Sequence, residues 1–96
     1  MIGIVAMLSI KPEHADEFVA MFLELTARVR EEAGCLMYQL CRKREAEGVF
    51  VVMELYADQA AVDLHMGTEY FKAFSKQVRP LAADRPVIEQ YDAVTG

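Results

Sequence analysis

Apolar and polar positions alternate in blocks along this chain, and the period of each block names an element. From Ile2 to Ile10 nearly every position is apolar and the run stops at Lys11-Pro12, the pattern of a strand. Between Glu13 and Ala33 the period lengthens. Ala15, Phe18, Val19, Phe22, Leu25 and Val29 recur at helical spacing, while Asp16, Glu17, Glu24, Arg28 and Glu31 take the opposite face. Pro12 suits the first turn of that helix, and Gly34 suits the C′ position beyond its end. Cys35–Arg44 and Val49–Tyr56 then read as two strands joined by the short loop Glu45-Ala46-Glu47-Gly48. Asp58 is a good N-cap for a helix through Met66. Gly67-Thr68 interrupts it, and Thr68 can cap a second segment carrying Phe71, Phe74 and Val78, which Arg79-Pro80 ends. Val87–Val94 closes the chain as a last strand.

The resulting order, β-α-β-β-α-β, is the split ferredoxin-like unit: an α+β fold with helices on one face of an antiparallel sheet. Residues 1–96 are expected to form one domain. The uncovered face of such a sheet is normally polar, giving clean alternation along each strand. Here it is not. In the first strand Ile2, Ile4, Ala6, Leu8 and Ile10 share one face, but Val5 and Met7 lie on the other. In the third, Val49, Val51, Met53 and Leu55 share one face, and Phe50, Val52 and Tyr56 flank Glu54 on the other. Both faces ask for cover, and a second copy of the chain packed sheet to sheet supplies it, so a homodimer is expected.

Composition supports that expectation. Of the 96 residues 54% are apolar, and exchanging the four tyrosines for the five glycines barely alters the figure. An average domain holds roughly 45–50%. Ten basic against fifteen acidic residues give a net charge of −5. With Arg42-Lys43-Arg44 as the one basic cluster, nucleic acid is not an expected partner. No stretch reaches the roughly 20 apolar residues of a membrane span, and the apolar start lacks the basic flank and cleavage site of a signal peptide. A cytoplasmic location is therefore expected. Cys35 and Cys41 lie roughly 20 Å apart along one strand, too far to pair, and read as reduced filler thiols.

The chain carries no Gly-rich phosphate loop, nucleophile elbow, C-x-x-C or H-E-x-x-H. His65 and Glu69 stand at i,i+4, a spacing that can bind a metal, but Gly67-Thr68 breaks the helix between them, so no protein-bound metal is expected. What remains is Glu54, a carboxylate in the middle of an apolar strand. Burying it requires a partner, a proton or a cavity. His65 follows on the next helix, which returns over the sheet. Together they are candidates for a general-base unit in a partly dry pocket, set against the plainer possibility that Glu54 orders a loop and His65 packs a helix end. Tyr38, Tyr56, Tyr70 and Phe71 are candidates for an aromatic lining around a substrate, although aromatics at these spacings also serve as core.

At these residues the sequence resembles the antibiotic biosynthesis monooxygenase (ABM) family. Glu54-Leu-Tyr56-Ala-Asp58, Ala61, His65, Thr68 and Tyr70-Phe71 are similar to its E-x-W/Y-x-s, Ala, H-x-x-s/t-x-h-F signature, and Glu32-Ala-Gly34-Cys35 resembles its E-x-G-C helix-to-strand turn. The resemblance implies a dimeric α/β barrel. It also implies oxidation of a small quinol or anthrone-type aromatic by O2 with no cofactor, His65 moving the substrate proton, Glu54 orienting it and the aromatics stacking on the ring. The haem-degrading branch relies on an Asn and a Trp, both absent here, and Tyr56 stands where a Trp is common. The autoinducer-2 phosphate isomerase (LsrG-like) branch shares the E-x-Y strand end and His spacing. It implies proton shuttling on a small phosphorylated dicarbonyl, with Lys72, Lys76, Arg42 or Arg44 as candidate phosphate contacts. A non-catalytic dimeric module holding a small ligand is the third alternative.

Overall fold

Buried residues alternate with more exposed ones along the two central strands of the computed structural model, which describes Met1–Gly96, whereas the last strand is exposed throughout. Strand β1 (Ile2–Ser9) leads through a 3-10 turn at Pro12–His14 into helix α1 (Ala15–Val29). Strands β2 (Cys35–Arg42) and β3 (Val49–Tyr56) follow, then helices α2 (Gln59–Gly67) and α3 (Glu69–Val78), a second 3-10 turn at Arg79–Leu81, and strand β4 (Val87–Asp92). The sheet order is β2-β3-β1-β4 with every neighbouring pair antiparallel, the ferredoxin-like arrangement expected from the element order. No helix is long and apolar enough to cross a membrane.

The connections β1-α1-β2 and β3-α2-α3-β4 each join parallel strands with one strand between them. Right-handed crossovers of this kind put all three helices on one face. That face carries Ile4 and Ala6 of β1, Tyr38 of β2, and Phe50, Val52, Glu54 and Tyr56 of β3, all buried. Phe18 and Phe22 of α1 pack onto it: the Phe18 ring centroid is 4.9 Å from that of Phe50, and Phe22 stacks on Tyr38 at 5.5 Å. Phe74 of α3 meets Phe22 edge-on at 5.6 Å. The opposite face presents Val5, Met7, Met37, Met53, Val87 and Tyr91, all exposed in the single chain.

The caps are as the sequence suggests. Asp58 accepts from the Ala61 amide at 2.9 Å to start α2, and Thr68 accepts from the Phe71 amide at 3.3 Å to start α3. Helix α1, expected to reach Ala33, ends at Val29. The next residues tighten into turns, with the Glu32 amide bonding the Val29 carbonyl at 3.0 Å, which points the chain down toward β2. Gly34 is thus not a helix cap. It holds a left-handed conformation (φ +84°) inside the turn, where an added Cβ would lie 2.6 Å from the Ala61 Cβ of α2. Its carbonyl accepts from the Ala57 amide at 2.8 Å. Turn and helix are clasped here, with consequences for Glu32. Cys35 and Cys41 are half-buried and unpaired.

Candidate functional site

Between the sheet and the α2-α3 pair lies an apolar cavity of about 290 Å³, at the small end of the range for ligand pockets. Its floor is the helix-facing row of β1, including Ile4, Ala6 and Leu8. Tyr38, Val52 and Glu54 continue the floor on β2 and β3, and Phe71, Phe74 and Val78 form the roof. Ile88 and Gln90 of the exposed strand β4 line its outer side.

His65 enters this cavity from the last turn of α2 and is 1% exposed. Thr68 fixes its backbone from the break between the helices: the Thr68 hydroxyl donates to the His65 carbonyl at 2.9 Å while accepting from the Phe71 amide. Phe71, Tyr38 and Tyr56 surround the imidazole, with centroids at 4.5, 5.5 and 5.5 Å. Nδ1 lies 3.1 and 3.3 Å from the two carboxylate oxygens of Glu32. A carboxylate only accepts, so Nδ1 carries the hydrogen and Nε2 of the neutral ring holds the free lone pair. Burial lowers the His65 pKa, outweighing the Glu32 charge that raises it, and keeps the ring neutral at pH 7.

Glu32 reaches this position because the α1-β2 turn is tied on both sides. Gly34 lets it press against α2, and the Arg30 guanidinium donates to the Tyr38 carbonyl at 3.0 and 3.2 Å. The Tyr70 hydroxyl donates to the second oxygen of Glu32. Burial and the neighbouring Glu32 push the Tyr70 pKa up to about 12, so the hydroxyl stays a donor.

Glu54 occupies the middle of β3, directly across from Tyr38 of β2. The Tyr56 hydroxyl donates to its Oε1 at 2.8 Å. Burial raises the Glu54 carboxyl to about 7, against the lowering effect of that hydrogen bond. The hydroxyls of Tyr38 and Tyr56 are pushed well above the ordinary phenol value, chiefly by burial and then by Glu54. No buried polar side-chain atom lacks a partner. His65 Nε2, Glu54 Oε2 and the Tyr38 hydroxyl make no hydrogen bond within the chain, so these three atoms are accessible. All three residues line the cavity. An apolar cavity therefore holds a free imidazole nitrogen, a carboxyl titrating near neutrality and a phenol.

Several expectations change. Glu54 and His65 share the cavity but do not pair: the carboxylate partner of His65 is Glu32, because Nδ1 turns toward the α1-β2 turn and not toward the strand. Tyr38 and Phe71 line the cavity. Tyr56 does not; it is fully buried beside His65 and spends its hydroxyl on Glu54. Tyr70 lies on the far side of Glu32, and its face receives the Arg28 guanidinium at 5.5 Å. His65 and Glu69 do not converge, since the Glu69 side chain is 94% exposed beside Lys72. Lys72, Lys76, Arg42 and Arg44 are absent from the cavity lining, whose one cation is Arg79. Glu32 was visible in the sequence as part of the E-x-G-C turn, but nothing local pointed it at a histidine 33 residues away.

The sequence pattern of the family described as "Antibiotic biosynthesis monooxygenase" matches residues 1–77. A crystal structure named "putative antibiotic biosynthesis monooxygenase" from Caulobacter crescentus CB15 superposes with a TM-score of 0.94. It is 49% identical, over 98% of this chain and 90% of that one. The Bacillus subtilis protein named "Putative monooxygenase YcnE" is 35% identical over 74 residues, 77% of this chain and 78% of its own length. The Synechocystis protein sll1783 is 29% identical over 84 residues, which is 88% of this chain; the match spans only 57% of that longer relative. The family pattern covers His65, Glu54 and the turn that carries Glu32, and this chain belongs to the antibiotic biosynthesis monooxygenase family.

Proposed function

We propose that this protein is a monooxygenase that oxidises a small quinol or anthrone-type aromatic with O2 and requires no cofactor. The observation that carries the reading is the unpartnered Nε2 of His65 in the wall of an apolar cavity, beside the Tyr38 hydroxyl and Glu54. A phenolic substrate seated there gives its proton to Nε2. The resulting oxyanion is electron-rich enough to reduce O2 itself, so the protein need supply only a base, a dry enclosure and a donor for the oxyanion. Tyr38 is that donor, and Phe71 flanks the ring. Glu54, with a pKa near neutrality, accepts from or donates to the substrate's second polar group. Tyr56 and Tyr70 act through the two glutamates they hydrogen-bond.

The working unit in this proposal is a homodimer packed through the outer sheet face. Met53 at 44% and Tyr91 at 50% exposure are too apolar a surface to leave in water. One observation favours the isomerase reading: Arg79 lines the cavity and offers the cation that a phosphorylated dicarbonyl needs.

The test is oxygen uptake by chelator-treated protein against a panel of small quinols and anthrones, with His65→Ala and no-protein runs as controls for autoxidation. Wild-type uptake should exceed both, with His65→Ala lowering the rate by about 10²–10⁴-fold. Uptake equal to the controls rejects the monooxygenase. Solvent proton exchange into dicarbonyl phosphates, weakened by Arg79→Ala, then selects the isomerase.

A further inference from the structure

We infer that Glu32 is a proton port, connecting His65 to solvent through a groove on the opposite side of the imidazole from the substrate cavity. The inference rests on the reading of His65 as the base. The two ring nitrogens serve two separate spaces. Nε2 has no partner in the chain and its ring lines the cavity, whereas Nδ1 is held by Glu32 at 3.1 Å. Glu32 does not line the cavity. It lines a second, open depression together with Arg28, Glu31, Leu64, Thr68 and Tyr70, and His65 does not reach that depression. The Glu32 side chain is 5% exposed, so its carboxylate is the thin wall between the imidazole and bulk water. Tyr70 closes one side of it by donating to Oε2.

The need for such a port follows from the cavity. Its walls are largely apolar and its volume is small, so an aromatic ligand expels the water that could otherwise exchange a proton with Nε2. An imidazolium sealed beneath it would be a buried cation. With the port, the substrate O–H bond breaks, its electron pair stays on oxygen, and Nε2–H forms. The Nδ1 proton then moves to a Glu32 oxygen and on to water in the groove. When the reduced oxygen needs a proton, Nδ1 first recovers one through Glu32, and the imidazolium so formed gives up its Nε2 proton. The starting tautomer is restored, and Glu32 transfers only protons.

Glu32→Gln separates a port from a mere bracket, because the amide oxygen still accepts from Nδ1–H but the side chain cannot carry a proton. The first measurement needs no turnover: the solvent exchange rate of the His65 imidazole N–H by nitrogen-15 NMR, with 1,4-naphthoquinone filling the cavity. Exchange should slow at least about 10-fold in Glu32→Gln, with the Nδ1–H tautomer kept. The second is oxygen uptake with 1,4-naphthohydroquinone. Here kcat should fall at least about 10-fold with KM little changed, and formate, entering by the groove, should restore part of the rate to Glu32→Ala. Equal exchange in wild type and Glu32→Gln overturns the port, as does a Glu32→Gln enzyme with wild-type kcat or a Glu32→Ala enzyme deaf to formate. If no quinol is turned over by wild type, the functional reading fails while the exchange comparison still decides the port.

Discussion

On β3, Phe50, Val52, Glu54 and Tyr56 face the helices, and Val49, Val51, Met53 and Leu55 face away. By hydropathy the second set looks more like core, since it contains no polar group at all. The chain nevertheless covers the first set. The row that is covered follows from the side on which both crossovers place the helices together with the register of the strands, and not from which row is greasier. The carboxylate is tolerated on the covered side because a cavity and the Tyr56 hydroxyl meet it there. The outer face has nothing of its own chain over it and is the face that the proposed dimer would cover. One face thus encloses a cavity, and the other stays open in the single chain.

That contrast can be broken most strongly from the inside. Phe18→Ala removes a fully buried ring packed on Phe50 and should cost about 3–5 kcal/mol in urea denaturation, whereas Val51→Ala on the outer face should cost well under half of that in a monomeric background. Equal losses would mean that the two faces do not differ as described. Met53→Lys probes the outer face alone. A lysine in the middle of a sheet-to-sheet contact should weaken the proposed dimer at least about 100-fold, about 3 kcal/mol, while far-ultraviolet circular dichroism stays unchanged. Sedimentation at micromolar concentration reads it, and an undisturbed dimer would place the interface elsewhere.

The smallest effect concerns Glu54. Its carboxyl is raised from 4.5 to about 7 in the folded chain, so the native state keeps a proton that the unfolded chain releases between those values. Its contribution to stability therefore falls as pH rises through about 4.5 to 7, by no more than about 3 kcal/mol. His65, with a lowered pKa, works in the opposite sense, since stability rises as the unfolded imidazole loses its proton. Glu54→Gln removes only the first trend, so the stability of the variant relative to wild type should increase from pH 5 to pH 8. A constant difference would show that Glu54 titrates alike in both states.

Much of this architecture is legible along the chain because it depends on neighbours. The Asp58 and Thr68 caps act within three residues, and the periods of 2 and 3.6 show in windows of about ten. The end of α1 falls at Val29 and not at Ala33 for the same reason: Arg30–Ala33 are compatible with a helix, and it is in the folded chain that Gly34 packs against Ala57 and Ala61 and the segment tightens into turns. Glu54 stands out as a charge in an apolar strand, and His65 through its spacing from it. Both residues line one cavity, but nothing local in the sequence shows that Nδ1 of His65 turns to Glu32.

The order of elements, the ferredoxin-like topology, the capped break that presents His65, the family signature and the two apolar sheet faces can all be read along the chain. Which face is covered, that Glu32 and not Glu54 holds His65, that Tyr56 and Tyr70 serve glutamates and not the cavity, and that Arg79 is the cation in its lining emerge only once the elements pack. Caps and periodicities come from short-range sterics and backbone hydrogen bonding, which each segment carries with it. The direction of a side chain across 33 residues depends on how the turn at Gly34, α2 and β2 pack against one another, and no one of those segments contains that information.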